Sequence, residues 1–382
     1  MIGAPMATDT RDVRRRSRHA TRHSRLAVLA FGLGVALGAP RAQAKEFLLS
    51  VTRPNNLVLV DPAARKVERV YAVPGPGRYS SLVPAPDGRV AYLLTNGWES
   101  IAGIDLATGD QVFRADFSSP DMRIKGMMGL TPSRDGKELY AYQLPVKLEP
   151  DRMLVQDARI VVYRTDAGVK ATPVRSFPAP RRIGLLAMST DGTRLYAAGA
   201  DLYVLDPATG AILQTHKVRS WDRRDLKYAD SMLMFPGFEQ SDVLASLYAG
   251  MRPDRRPDDP AAIVIGIWTL DLKTGAFRMT DLQTAPDPGF STVVNPVRRT
   301  EAYMSGKTLK RLDLEKGRVL KEVNLDHDYW MVNVSGDGRE VYVGGNMSDI
   351  SVYASDTLER IGAIAMPDGA DQTFATIRIV RR

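Results

Sequence analysis

The segment His327-Asp328-Tyr329-Trp330 holds the richest local combination of chemically useful side chains in the sequence. A histidine beside two aromatic residues can bind a substrate or line a surface on which another protein docks. The same residues also suit a structural role, in which Tyr329 and Trp330 pack in the core and His327 satisfies a backbone carbonyl. With Phe290, which stands at a matching position earlier in the chain, these residues are the candidates for a substrate pocket or partner interface: Phe290, His327, Tyr329 and Trp330.

The sequence lacks the common catalytic and cofactor motifs. It has no Gly-rich phosphate loop, no Gly-x-Ser-x-Gly segment and no His-Glu-x-x-His segment. It also has no cysteine, so the chain cannot attach a c-type haem, hold an iron–sulfur cluster or offer thiolates to a metal. Carboxylates paired by folding stay open as an alternative. We assign no catalytic residue, no cofactor and no metal site to this chain.

The sequence contains a repeated unit of strands and turns, and these elements must position the cluster. Seven predicted strands each run into an Asp-led turn, and the seven aspartates are Asp61, Asp105, Asp166, Asp206, Asp271, Asp313 and Asp356. The steps between them are 44, 61, 40, 65, 42 and 43 residues. A period of roughly 40–50 residues built of strands is typical of a β-propeller. We expect these aspartates to cap their own turns rather than to act in catalysis.

A second set of turns divides each repeat into four strands. Asp-Gly pairs, which are strong hairpin signals, lie between alternating apolar segments at Asp87, Asp135, Asp191 and Asp337. Two repeats carry Asn295-Pro296 or Gln240-Ser241-Asp242 at the equivalent place, and these are also turn formers. The sequence therefore predicts an all-β, seven-bladed propeller with four strands in each blade.

The two ends of the predicted domain complement each other. The first repeat, which begins near Glu46, has room for only three strands before Pro74, and the last repeat is followed by an additional strand over Thr373–Val380. Pairing of that strand with the first repeat would close the ring and remove the exposed sheet edges. We expect one propeller domain over residues 45–382.

The candidate residues fall where one blade passes into the next. The cluster at His327 follows the outer strand of one blade and precedes the inner strand of its neighbour, at a face where the central channel opens. The matching positions in other blades hold apolar residues that together predict an apolar ring around the channel mouth or, alternatively, packing between blades: Met127, Met128, Met234, Phe235, Phe290 and Phe374.

The two long steps reflect two insertions. One covers Gln143–Asp157 in blade three and the other covers Tyr248–Pro260 in blade five. Both come at the same point of their blades, so we expect both to project from the same face. Long loops on a regular scaffold are often functional, although the second insertion, rich in Pro, Asp and Arg, also suits a disordered excursion.

The first 44 residues resemble a secretory signal peptide. Seven arginines between Arg11 and Arg25 precede an apolar run over Leu26–Leu37 and a small-residue site at Ala42-Gln43-Ala44. We predict cleavage after Ala44 and a periplasmic location, because the apolar run is too short to span a bilayer comfortably.

Removal of the leader also changes the charge and histidine content of the chain. The chain has 52 basic and 44 acidic residues. Eight of the basic and two of the acidic residues lie in the leader, so the net charge falls from +8 to +2 and nothing calls for nucleic acid or a membrane surface as partner. Only His216 and His327 remain, which excludes a site built from several histidines.

The order of several segments resembles the β subunit of quinohemoprotein amine dehydrogenase. The resemblance runs over the whole mature region and rests on these segments: Arg53–Asp61, Pro84–Gly88, Pro145–Glu149, Phe290–Pro296, Asp313–Lys316 and His327–Ser335. Asp-Gly and Asp-x-x-Thr-Gly turns occur in many propellers, so the order of the segments and the position of the blade-three insertion carry the likeness.

The resemblance implies a periplasmic αβγ enzyme that oxidises primary amines. In that family the quinone, a cysteine tryptophylquinone, lies in the small γ subunit, and the α subunit holds two c-type haems. The β subunit is a cofactor-free, seven-bladed propeller that supports the other two chains and helps to wall the site of amine oxidation. The resemblance thus implies a dihaem α subunit and a quinone-bearing γ subunit as partners, and a primary amine as substrate.

Two other functions stay open from the sequence. One is a standalone, lactonase-like propeller hydrolase, which would need a metal or paired acids at the channel. The other is a periplasmic interaction propeller with no enzyme partner. The absence of cysteine and the scarcity of histidine agree with a scaffold subunit but do not by themselves separate these alternatives.

Overall fold

Seven antiparallel sheets follow one another along the chain and form a seven-bladed β-propeller, as the turn spacing predicts. The structure is a computed structural model that describes residues 44–75, 81–232, 237–282, 289–372 and 377–382. Ala44–Arg382 form one compact unit. The predicted signal peptide lies outside the described residues apart from Ala44, so it stays a prediction. In the described part of the chain, no helix combines the length and the apolar content needed to cross a bilayer.

The blades contain 29 strands in all within the described residues, and each strand is numbered in chain order. Blade one contains β1 (Glu46–Thr52), β2 (Asn56–Asp61) and β3 (Lys66–Ala72), and blade two contains β4 (Leu82–Pro84), β5 (Val90–Thr95), β6 (Ser100–Asp105) and β7 (Gln111–Asp116). Blade three contains β8 (Met122–Pro132), β9 (Glu138–Leu148), β10 (Met153–Val155), β11 (Arg159–Arg164) and β12 (Arg175–Pro178). Blade four contains β13 (Leu185–Met188), β14 (Leu195–Ala198), β15 (Leu202–Leu205) and β16 (Ile212–His216).

The remaining blades follow the same order. Blade five contains β17 (Lys227–Met232), β18 (Val243–Met251), β19 (Ile263–Asp271) and β20 (Phe277–Asp281), and blade six contains β21 (Ser291–Val294), β22 (Glu301–Ser305), β23 (Thr308–Asp313) and β24 (Arg318–Asn324). Blade seven contains β25 (Met331–Val334), β26 (Glu340–Gly344), β27 (Asp349–Ala354) and β28 (Arg360–Ala365), and the last strand is β29 (Arg378–Arg381). Single-turn 3-10 helices occur at Asn96–Trp98, Gly168–Lys170, Pro260–Ala262 and Pro367–Gly369.

The ring is closed by the C-terminal strand. β29 pairs antiparallel with β1, with Glu46 opposite Arg381 and Leu49 opposite Arg378. Two backbone hydrogen bonds between Lys45 and Arg382, of 2.8 and 3.0 Å, extend this pairing by one residue. The predicted closure is therefore confirmed, although the first part of the predicted strand, residues 373–376, lies outside the described residues.

The Asp-led turns join the third and fourth strands of every blade. In blade four, Asp206 Oδ1 accepts hydrogen bonds from the backbone N–H groups of Ala208 at 2.9 Å and Thr209 at 2.8 Å. The bond from Thr209 is the main reason why the pKa of Asp206 lies below its ordinary value. Asp105, Asp271 and Asp313 cap their turns in the same way. These aspartates stabilise the turns of the scaffold, as the sequence indicates.

The antiparallel order gives the ring two different faces. The turns between first and second strands and the Asp-led turns lie at one end, which we call the turn face. The crossovers from blade to blade and the loops between second and third strands lie at the other end, which we call the crossover face. Both insertions join second and third strands, so both project from the crossover face as predicted.

The insertion in blade three is a strand ribbon rather than a loop. β9 continues to Leu148 and turns back into β10, with Met153 opposite Leu148 and Val155 opposite Val146. On its other side, the same stretch of β9 pairs with β8. The alternating Leu144, Val146 and Leu148 support this extension. Pro145 takes part in it, opposite Ile124 of β8, and its carbonyl accepts a hydrogen bond from the N–H of Gln156 at 3.0 Å.

The core lies between neighbouring blades. One cluster joins Leu49, Leu57 and Leu59 of blade one to Leu93 and Ile104 of blade two. Similar clusters fill the other interfaces. Each blade therefore buries its two faces against its two neighbours, and the interface between blades seven and one depends on the ring being closed.

Candidate functional site

The candidate cluster forms the crossover from blade six to blade seven. It lies between the end of β24 and the start of β25, and the N–H of Tyr329 donates to the carbonyl of Gly306 at 3.2 Å. Because successive side chains of an extended segment point to opposite sides, Tyr329 and Trp330 enter different blade interfaces. Tyr329 packs between blades six and seven, and Trp330 packs between blades seven and one.

Tyr329 is a core residue in this structure. Its side chain is 1% exposed, and its hydroxyl lies 3.0 Å from both carboxylate oxygens of Asp349 and 3.2 Å from Ser351 Oγ. Burial raises the pKa of Tyr329 to about 12. The ring of Tyr329 is therefore part of the apolar interface between blades six and seven, and Asp349 accepts the hydrogen bond of its hydroxyl.

The buried tyrosines predict a loss of stability at high pH. Burial raises the pKa values of Tyr92, Tyr163 and Tyr329 from 10.0 to about 12. The folded state thus keeps these protons at a pH where the unfolded state has released them. The contribution of these tyrosines to the free energy of unfolding should be constant up to about pH 10 and should fall between about pH 10 and pH 12. Denaturant unfolding at a series of pH values measures this slope, and a flat profile across that window would contradict the prediction.

Phe290 and Trp330 form an aromatic pair that joins two adjacent crossovers. Their ring centroids are 5.8 Å apart with a tilt of 44° between the planes. Both side chains are half-buried, and the N–H of Phe290 donates to the carbonyl of Ser305 at 2.7 Å, which fixes the crossover from blade five to blade six. The pair presents part of its aromatic surface at the crossover face.

His327 is exposed beside this pair. Its ring centroid is 6.0 Å from that of Tyr329, in an edge-on arrangement. The flanking Asp326 forms an ion pair with Arg360 at 3.0 Å, and the carbonyl of Asp328 accepts a hydrogen bond from Asn346 Nδ2. The two residues that flank His327 therefore hold the crossover in place. The imidazole itself lies at the surface, where it can donate or accept a hydrogen bond.

The other members of the predicted apolar ring are only partly described. Met127 and Met128 are half-buried, and the carbonyl of Met128 accepts a hydrogen bond from Ser81 Oγ at 2.9 Å. Met234, Phe235 and Phe374 lie outside the described residues. The structure thus brings Phe290, His327 and Trp330 together at one place on the crossover face, and their roles in a pocket or interface stay predictions.

A second feature, at the turn face, was not predicted from the sequence. A cavity of about 270 Å³ opens where the inner strands of blades one to four end, and the turn Phe238–Asp242 of blade five lines it too. Its wall includes Arg378, which is 3% exposed, forms an ion pair with Glu239 and lies with its guanidinium 5.0 Å from the centroid of the Phe238 ring. The signal was present in the sequence, because an arginine between Ile377 and Ile379 in a strand expected to be buried requires a partner.

The described residues contain no group of three or more His, Cys, Asp or Glu side chains placed to hold a metal ion. The paired acids left open by the sequence are mostly explained by local structure. Asp87, Asp105, Asp135 and Asp206 accept hydrogen bonds from their own turns.

Comparisons with known proteins support the fold. No protein-family model and no curated protein sequence matches the chain. Among solved structures, hydrazine synthase from Kuenenia stuttgartiensis is similar with a TM-score of 0.56 and 14% identity, over 79% of this chain and 90% of that one. A functionally unknown protein from Desulfotomaculum acetoxidans DSM 771 is similar with a TM-score of 0.54 and 9% identity, over 88% of this chain and 99% of that one. At these identities the likeness shows the fold alone.

Proposed function

We propose that this chain is the cofactor-free propeller subunit of a periplasmic amine dehydrogenase similar to quinohemoprotein amine dehydrogenase. In this proposal it supports a dihaem α subunit and a small γ subunit that bears a cysteine tryptophylquinone. The quinone supplies the chemistry, because it accepts the electrons of a primary amine. The propeller contributes by binding the partners and by walling the cavity in which the amine reacts.

The proposal is carried by one observation. Three of the segments on which the resemblance rests lie at the same face of the propeller. Pro145–Glu149 lies in the blade-three ribbon, Phe290–Pro296 begins at the crossover into blade six, and His327–Ser335 begins at the crossover into blade seven. The ribbon and both crossovers lie on the crossover face. Segments that are distant in sequence thus come to the one face where a partner could contact them all.

The chemistry of this face suits a partner interface. The half-buried Phe290–Trp330 pair offers aromatic surface with little conformational freedom to lose, and such residues are enriched at binding hot spots. On the ribbon, Met153 and Val155 are 74% and 64% exposed. A partner that covers the aromatic pair would exclude water from the contact between the two chains, and His327 would be placed to orient a polar group there.

Substitution of Trp330 tests the proposal at the level of one side chain. In the assembled enzyme, Trp330→Ala should lower kcat/KM for amines or the affinity for the small subunit by roughly tenfold or more, as expected for an aromatic hot spot. Trp330→Phe should retain most of the activity. Steady-state kinetics on a series of primary amines and co-purification of the partners provide the two readouts.

Val297→Ala is the matched control. Val297 is an apolar residue, 64% exposed, at a turn-face position of the same blade as Phe290. It should affect neither readout. If Trp330→Ala folds normally and leaves both kcat/KM and assembly unchanged, the proposal that the crossover face binds the partners is wrong.

A further inference from the structure

We propose that the cavity at the turn face binds a small zwitterion, a molecule with one carboxylate and one ammonium group, such as an amino acid. The site lies at the end of the channel opposite the crossover face. The inference is independent of the proposed function and holds for any of the functions considered above.

Two of the arginines that line the cavity already have partners. Arg378 pairs with Glu239, and its Nη1 also donates to the carbonyl of Leu82 at 3.1 Å. Arg381 lies 3.4 Å from Glu46. These charges are compensated within the protein, so they give the wall polarity without a demand for a further counter-ion.

Two opposite charges in the same wall have no such partners. Arg134 follows the end of β8, and Asp242 precedes β18. Among the described residues, neither side chain forms an ion pair within 4.0 Å or a hydrogen bond. Arg134 and Asp242 do not pair with each other either, although both line one cavity of about 270 Å³.

The backbone holds Asp242 in place. Its N–H donates to the carbonyl of Phe238 at 2.8 Å, and its own carbonyl accepts from the N–H of Leu272 at 2.8 Å. Its φ angle of 52° lies in the left-handed region, which aspartate and asparagine tolerate better than most residues. Asp242 is half-buried in the cavity wall, and these backbone contacts fix the place from which its carboxylate extends.

The guanidinium of Arg134 and the carboxylate of Asp242 indicate which ligand would fit the cavity. A guanidinium binds a carboxylate through two parallel hydrogen bonds, and a carboxylate binds an ammonium group. Asp242 is half-buried, so its contact is screened by fewer water molecules than on an open surface, whereas Arg134 is exposed at the mouth of the cavity. A molecule that carries only one charge would leave the other side chain without a partner. The cavity volume of about 270 Å³ lies just below the usual range for ligand pockets, about 300–1,000 Å³, which favours a small molecule.

The test compares ω-amino acids with their singly charged analogues on the purified protein. The probes are β-alanine, 4-aminobutyrate and 6-aminohexanoate, which differ in the distance between their charges. Butyrate and butylamine are the controls. Isothermal titration calorimetry should show saturable binding of at least one ω-amino acid, and butyrate and butylamine should bind at least about tenfold more weakly, equivalent to the loss of one charged contact.

Variants assign the binding to the two side chains. Arg134→Gln and Asp242→Asn should each weaken the best probe by about tenfold or more, and Arg256→Gln, at an exposed crossover-face position, should not. Thermal unfolding shows whether each variant is folded, and the probe comparison on the unaltered protein remains decisive if one is not. The proposal is overturned if no ω-amino acid binds, if butyrate or butylamine binds as tightly, or if both folded variants keep the original affinity. These outcomes leave the amine dehydrogenase proposal untouched, since its readouts are partner assembly and kcat/KM.

Discussion

Deletion of residues 377–382 should prevent the chain from folding. The deletion removes β29, leaves β1 with an unpaired edge and takes Ile377, Ile379 and Val380 out of two blade interfaces. All three side chains are buried, and burial of an aliphatic side chain of this size stabilises a protein by about 1.5–3 kcal/mol. The loss is therefore roughly 5–9 kcal/mol before the backbone pairing is counted, which is comparable with the whole stability of a typical domain, about 5–15 kcal/mol.

Soluble yield and thermal unfolding followed by circular dichroism measure the effect of the deletion. The control is removal of Arg382 alone, which takes away the two backbone bonds to Lys45 and the bond from its guanidinium to the carbonyl of Leu106 at 2.8 Å. That shorter deletion should leave a folded protein with a modestly lower Tm. A soluble, cooperatively unfolding chain without residues 377–382 would show that the ring does not depend on β29.

Removal of one partner of the buried Arg378–Glu239 ion pair should destabilise the protein by about 3–5 kcal/mol. Arg378→Met leaves the Glu239 carboxylate, whose side chain is only 18% exposed, without its main counter-charge. It also removes the stacking on Phe238 and the bond to Leu82. The pair connects the inner strand of blade one with the turn of blade five, so its loss weakens a link across the channel.

The double variant Arg378→Met with Glu239→Met separates two costs, the burial of one uncompensated charge and the loss of the contact between the two side chains. It leaves no uncompensated charge and should be more stable than the sum of the two single effects implies, because the cost of burying the charges disappears with them. Arg256→Met is the surface control, since Arg256 and Asp258 are 85% and 70% exposed and such pairs contribute at most about 1 kcal/mol. Denaturant unfolding gives the free energy of unfolding of the two single variants, the double variant and the surface control. A single-variant effect no larger than that of the surface control would contradict the structural role of the pair.

The fold could be predicted from the sequence because its signals are local and repeated. An Asp-led turn is stabilised by its own aspartate, and the recurring step of 40–44 residues, lengthened only by the two insertions, leaves few other architectures. The closure by the C-terminal strand followed from counting strands at the two ends. The blade-three ribbon could not be predicted in the same way, since Pro145 and Pro150 argue for a loop and only the register of β8 against β9 shows that the first proline is compatible with a strand.

The candidate site was harder to predict because exposure depends on tertiary contacts. Tyr329 and Trp330 are neighbours in the sequence, but Tyr329 is buried between blades six and seven and Trp330 is only half-buried. No local pattern distinguishes them. The turn-face cavity depends on residues from five blades, and only the isolated Arg378 in an apolar strand gave a signal for it.

Purification of the protein from the native organism tests most directly the proposal that this propeller works as one subunit of a periplasmic amine-oxidising complex. The account predicts that the propeller co-purifies with two companion chains, that the preparation shows haem absorbance, and that it oxidises primary amines. A colourless protein that elutes as a monomer and carries a hydrolase activity, or no amine oxidation, would contradict the account.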